Sequence, residues 1–282
     1  MTSKILVIGA TGRTGSELLR LLVQNGENVR AATRKPENFK NGVEAVNFDY
    51  EKPETFAPAV SGIEKIFLSV RPGDNHSDKY AIPLIDEAKK ANVRHIVTLT
   101  AMGVEKDENF MLRVLEKYIE ASGIAYTHLR PNWFMQNFDS GPIFAEIKAR
   151  GALRLPASDA KLSFIDLRDI AAAGFTALTM PGHLNKAYTL TGGESLSYFE
   201  ALEKISRAAG KQITYIPISE DEANASLAKL GVPISLIERW AGFHRRIRSG
   251  HCASVSGDVE AMIGRPPITF DRYAEDYAAS WR

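Results

Sequence analysis

Three glycines at every third position, Gly9, Gly12 and Gly15, close a short apolar run, Ile5-Leu6-Val7-Ile8. A helical pattern opens directly behind them at Glu17-Leu18-Leu19-Arg20-Leu21-Leu22. A buried strand, a tight turn and a helix start in that order leave few folds open. Glycine lets the backbone turn sharply and approach a phosphate closely, and the first N–H groups of the following helix point at the anion. The pattern predicts the pyrophosphate cradle of a dinucleotide-binding βαβ unit. Cofactor contacts are expected from Gly9, Thr11, Gly12, Arg13, Thr14 and Gly15, with Arg13 on a phosphate of the adenine ribose.

The rest of the first half keeps the same rhythm. Strands are predicted at Val29–Thr33, Val43–Phe48, Lys65–Val70, Arg94–Leu99 and Ala125–Leu129. Helices are expected over about Tyr80–Ala91 and Phe110–Ala121. Strands joined by helical crossovers demand a parallel sheet, so an α/β, doubly wound fold is expected. From Pro131 the alternation weakens, and Trp133–Arg150 shows aromatics and breakers instead. A helix starting near Ile165, a strand at Ala187–Leu190, a helix at Tyr198–Ala209, a strand at Ile213–Ile216 and a mostly helical ending follow. The predicted organisation is a dinucleotide-binding domain over 1–130, rejoined by 151–192, and a smaller, mostly helical lobe from 131–150 and 193–282.

Composition excludes several classes. With 35 basic and 34 acidic residues in 282, nothing favours nucleic acid or an anionic membrane surface. No apolar run is long enough to span a bilayer. A first strand at about Lys4 leaves no room for a leader, so a cytoplasmic protein is expected, either monomer or homodimer. Cys252 is the single cysteine, and no His/Cys spacing suits a metal, so none is expected.

The residue just past the second strand of such a unit faces the adenine ribose. An acid there suits NAD, whereas an arginine accommodates the 2′-phosphate of NADP. Arg34 occupies the position, followed by Lys35. A guanidinium forked onto phosphate contributes about 1.5–3 kcal/mol. NADP(H) is therefore the expected cofactor, with NAD(H) also tolerated. The competing reading makes Arg34 and Lys35 a solvated loop before Pro36. Asp49, ending the third strand, either accepts from the adenine amino group or serves the turn at Glu51-Lys52-Pro53. Ser69, Val70 and Arg71, at the end of the fourth strand, are expected beside the ribose and nicotinamide, with Arg71 reaching phosphate or solvent.

These motifs together resemble the NmrA-like branch of atypical short-chain dehydrogenases. The resemblance is carried by Gly9 to Gly15, Arg30 to Arg34, Asp49, the run from Ser122 to Phe138, the run from Phe164 to Ala171, and Gly264 to Phe270. It covers nearly the whole chain and looks closest to triphenylmethane and quinone reductases and clavine dehydrogenases. It implies a Rossmann lobe and a smaller lobe with the substrate between them. The family also holds nucleotide-sensing regulators with little catalysis, which is the alternative reading here.

Ordinary short-chain dehydrogenases use a tyrosine acid and a lysine four residues later. Here Tyr118 is followed at that spacing by Ser122, so the dyad is missing. Hydride transfer then requires an acceptor that is already electrophilic: a quinone, azo, iminium or triarylmethane compound. Trp133, Phe134 and Phe138, just beyond the sixth strand, would stack on such a planar aromatic substrate. Met102 would add an apolar wall, and Asn132 and Asn137 would orient polar substituents. The competing reading for each aromatic is ordinary core.

Overall fold

A computed structural model describes residues 4–39, 43–71 and 76–282. The chain begins β1 (Ile5–Ile8), α1 (Arg13–Gln24), β2 (Val29–Thr33), β3 (Glu44–Asn47), α2 (Phe56–Val60), β4 (Lys65–Ser69) and α3 (Ser77–Lys90). It continues β5 (His95–Leu99), α4 (Met111–Ser122), β6 (Ala125–Pro131), α5 (Gly141–Arg150), β7 (Ala152–Leu155), α6 (Leu167–Thr179) and β8 (Lys186–Leu190). It ends with α7 (Tyr198–Ala209), β9 (Thr214–Pro217), α8 (Glu220–Lys229), α9 (Ile234–Arg248), α10 (Asp258–Ile263) and α11 (Phe270–Asp276). Two units result: unit 1 from Met1–Pro131, Leu167–Leu190 and Asp258–Gly264, and unit 2 from the remainder. Among the described residues no helix is long and apolar enough to cross a membrane.

Unit 1 is the doubly wound sheet that the alternation predicts, seven parallel strands in the order β3-β2-β1-β4-β5-β6-β8. All four β1 residues are buried, because helices cover both faces. Leu6 and Ile8 join the core with Phe56, Leu84, Leu115 and Ile119 from α2, α3 and α4. On the opposite face α1 meets α6, where a side chain at Gly174 would lie 3.4 Å from Phe67 and 3.6 Å from Leu18. The chain order reverses between β1 and β4, and the crevice at the carboxyl ends of those two strands is where this fold accepts nucleotides.

His95 lies inside unit 1, 4% exposed, with Nε2 2.9 Å from the Thr127 hydroxyl. Burial first, then the charge of Lys65, pushes its pKa from 6.5 down to about 4. His244 in unit 2 is likewise lowered to about 4, by burial and then Arg248. Both stay neutral in the native state at pH 5, while their unfolded counterparts take protons below about 6.5. Stability is therefore full above pH 6.5 and falls progressively as pH drops from 6.5 toward 4, by roughly 3 kcal/mol per histidine. Thermal melts across that window should show the fall, and His95→Gln should remove the His95 share while leaving that of His244. A melting temperature constant from pH 7 to pH 4.5 contradicts this account.

Unit 2 is built around Phe138, Phe164, Tyr198, Phe270, Tyr273 and Trp281. Helix α7 has the predicted bounds because Ser197 and Glu200 form a capping box and Gly210 turns left-handed at its end. Helix α5 was hidden by the breakers Gly141 and Pro142. Pro142 stands in its first turn, where a missing N–H removes no helical bond. The stretch from 151 to 166, expected to rejoin the first lobe, lies in unit 2 instead, and α10 lies in unit 1. The cause is a long-range pairing: β7 runs parallel to β9, with Leu153 opposite Tyr215.

Candidate functional site

The chain leaves β1 through Gly9, whose φ of +82° is left-handed and strains any residue with a Cβ. Its carbonyl accepts from the Gly12 N–H at 2.8 Å, closing the turn. Helix α1 then starts so close to that turn that a Cβ on Gly15 would lie 2.1 Å from the Gly9 oxygen. Gly12, the N-cap, supplies no side-chain acceptor, and no acid stands in the first turn. The first N–H groups and the positive end of the helix dipole are left for an anionic ligand. A Cβ at Gly9 would also meet the Ser69 side chain at 3.2 Å, so β1 and β4 end side by side at this cradle. Arg13 is exposed and Thr14 buried on the same turn. Thr11, between Ala10 and Gly12, is exposed as well. The geometry fits a dinucleotide pyrophosphate.

Two arginines near the cradle differ in electrostatics. Arg34, directly after β2, is exposed and has no ion pair among the described residues. Arg71, after β4, is neutralised: Nη1 lies 2.7 Å from Glu51 and Nη2 3.3 Å from Asp49. Asp49 also accepts from the Glu51 N–H at 3.1 Å, the interaction of a turn residue. The Arg71 guanidinium lies 6.0 Å from the ring centre of Tyr50 and 5.9 Å from that of Tyr80. The Tyr50 hydroxyl donates to the Ser69 carbonyl at 2.9 Å, tying the ends of β3 and β4 together. Val70 packs against the same core. Sequence reasoning passed over Tyr50 and Tyr80, since their partners lie on other strands and helices.

Beyond β5, the chain is held to the end of β6 by Thr100 N–H on Leu129 and Met102 N–H on Pro131, at 2.8 and 2.9 Å. Met102 is half-buried there. Below this loop sits Glu116 of α4, with no exposure. Its carboxylate accepts from Thr100 Oγ1 at 2.8 Å, from Arg130 Nε and Nη2 at 3.0 and 2.7 Å, and from Arg113 Nη1 at 3.1 Å. Burial alone would raise its pKa, but the Arg130 bonds and neighbouring positive charge bring it below the ordinary value. Glu116, Glu120 and His128 bring three ligand-type atoms within 4.8 Å of one another. Arg113 already stands between the two carboxylates, 2.7 Å from Glu120, and balances their charge as a cation would.

Tyr118 on the same helix donates its hydroxyl to Asp86 of α3 at 2.6 Å. That bond raises its pKa, the opposite of what a lysine partner does for a catalytic tyrosine. Ser122 donates to the Ile119 carbonyl at 2.7 Å within its own helix.

Within unit 2, the residues after β6 fall into two groups. Asn132 is buried, and its Nδ2 donates to Ser163 Oγ at 2.7 Å and to the Cys252 carbonyl at 2.8 Å. Phe138 has no exposure; it packs between Phe164, Tyr198 and Phe270, and its carbonyl accepts from Trp281 Nε1 at 2.7 Å. Both side chains are thus internal to unit 2 rather than placed to meet a ligand. Trp133, Phe134 and Asn137 are half-buried. The backbone of Phe134 bridges to Ile165, holding it beside Trp133. Trp133 meets Phe243 of α9 edge to face at 6.2 Å, a contact that no local sequence pattern signals.

A family model described as the NmrA-like family matches residues 1–245. The NAD(P)H azoreductase of Xenophilus azovorans is 34% identical, over 98% of this chain and 99% of its own. The (4-alkanoyl-5-oxo-2,5-dihydrofuran-3-yl)methyl phosphate reductase of Streptomyces griseus is 32% identical over the same shares. Among solved structures, an NADPH-dependent quinone oxidoreductase from Escherichia coli superposes with a TM-score of 0.85 at 24% identity, covering 96% of this chain and 99% of that one.

Proposed function

The chain belongs to the NmrA-like family, and we propose that it is an NAD(P)H-dependent reductase passing hydride to a planar, electrophilic acceptor of the azo or quinone type. The observation that carries this reading is the uncapped glycine cradle, in a chain 34% identical along 98% of its length to an NAD(P)H azoreductase. When bound there, the dihydronicotinamide supplies the hydride. The turn from Gly9 to Gly15 holds the pyrophosphate, and Arg34 takes the 2′-phosphate. Thr100, held by Glu116 and Leu129, and Met102, held by Pro131, form an edge at the end of β5. Within unit 2, the half-buried side chains of Trp133, Phe134 and Asn137 are the ones we assign to a planar acceptor. Tyr118 is bound to Asp86, so we assign it no acid role and take the proton from solvent.

Purified protein should oxidise NADPH when offered a panel of azo, quinone, iminium and triarylmethane compounds. Tight NADPH binding without turnover on any of them would favour nucleotide sensing instead. The cofactor preference has its own test. Arg34→Ala should raise the Kd for NADPH about 10- to 100-fold, the loss of a charge-assisted pair. The Kd for NADH should stay within about twofold. Equal losses for both cofactors remove the phosphate role from Arg34.

A further inference from the structure

Along α9, Leu236, Arg239, Trp240, Phe243 and Arg246 recur at steps of three, one, three and three residues, which place them on one flank of the helix. All five are half-buried. Trp240 and Phe243 meet edge to face with 6.4 Å between ring centres, and Phe243 meets Trp133 in the same way. Three rings therefore form one ladder inside unit 2, running from the residue after Asn132 along α9. Arg239 stands one helical turn before Phe243. Its Nε is buried and has no hydrogen-bond partner among the described residues, nor does any described carboxylate pair with it. The neighbouring Arg245 and Arg248 contrast with it, since both bind Glu220, Arg248 at 2.6 Å.

A buried guanidinium N–H without a protein acceptor takes one from water or from a ligand that displaces it. Beside an aromatic ladder it also repels a cationic ring system and attracts an anionic one. We infer that α9 carries a subsite for planar aromatic molecules bearing a sulfonate or carboxylate, with the ring on Trp133, Phe243 and Trp240 and the acid on Arg239. The subsite rests on the reductase reading for its purpose, but its occupancy can be measured without turnover.

The test uses two dyes with one skeleton, 4-hydroxyazobenzene-4′-sulfonate and uncharged 4-hydroxyazobenzene, titrated against the full-length protein by tryptophan fluorescence. The sulfonate should bind at least tenfold more tightly than the neutral dye. Arg239→Gln should bring the two within about twofold, and Arg239→Lys should restore part of the preference. Arg245→Gln, on the same helix but paired with Glu220, should keep the preference. Equal affinity for the two dyes in the native protein overturns the subsite, as does a sulfonate preference that survives Arg239→Gln or is lost equally in Arg245→Gln. Selective binding without NADPH oxidation overturns the reductase reading and leaves the subsite standing. Turnover of both dyes without selectivity does the reverse.

Discussion

Replacing Gly15 with alanine is expected to abolish NADPH binding, raising the Kd by more than about 100-fold. The added Cβ would lie 2.1 Å from the Gly9 oxygen and 2.7 Å from its carbonyl carbon. Both atoms are backbone, so no side-chain rotation relieves the clash. Helix α1 must move away from the end of β1, and its N–H groups then lose their aim at the pyrophosphate. Gly12→Ala gives a graded comparison: its Cβ would stand 3.2 Å from the same oxygen, a contact that a shift of a few tenths of an ångström relieves. That variant should fold and bind about tenfold more weakly. NADPH titration paired with a thermal melt separates lost binding from lost structure. Native affinity in both variants would show that the turn does not hold the cofactor.

Glu116→Leu should be among the most destabilising single changes in unit 1, costing about 3–5 kcal/mol. Leucine fills much of the volume but leaves Arg130 and Arg113 facing a site without its carboxylate, and leaves the Thr100 hydroxyl without that acceptor. Arg113 retains Glu120, and Arg130 retains Glu105 at 3.5 Å, so the loss falls short of two stranded charges. A fall of about 10 °C in the melting temperature is expected at this size. Glu116→Gln keeps the shape and an acceptor for Thr100 while removing the charge, and should fall between leucine and the native residue. A leucine variant within about 0.5 kcal/mol of native would mean that Glu116 is replaceable packing.

Much of unit 1 was legible because its signals are local. Apolar strands, helical stretches and the Gly9 to Gly15 spacing each occupy a short window, and a parallel sheet follows from their alternation. Arg34 was legible for the same reason, since its place is set by the end of β2. The acceptor side was harder to read. Asn132 and Phe138 lie close in sequence to Trp133, and aromatic content alone gave no means of separating them. Asn132 is drawn inward by Ser163 and the Cys252 carbonyl, and Phe138 by rings from three later segments. Arg71, expected to reach phosphate or solvent, is instead paired with Asp49 and Glu51. Arg239 had no distinguishing mark in a basic helix; only the missing partner sets it apart.

The glycine turn and the strand-helix rhythm thus determined from sequence alone a doubly wound fold with a tight glycine turn at the end of β1 and an arginine directly after β2. Backbone conformation and helix starts depend on neighbours a few residues away, and such neighbours are written in order. Which of the residues past Pro131 are buried, which arginines are neutralised and which helix flank joins Trp133 were decided only by the tertiary structure. Those outcomes depend on desolvation and on partners as far as 143 residues away, as for Phe138 and Trp281, and no local pattern carries them.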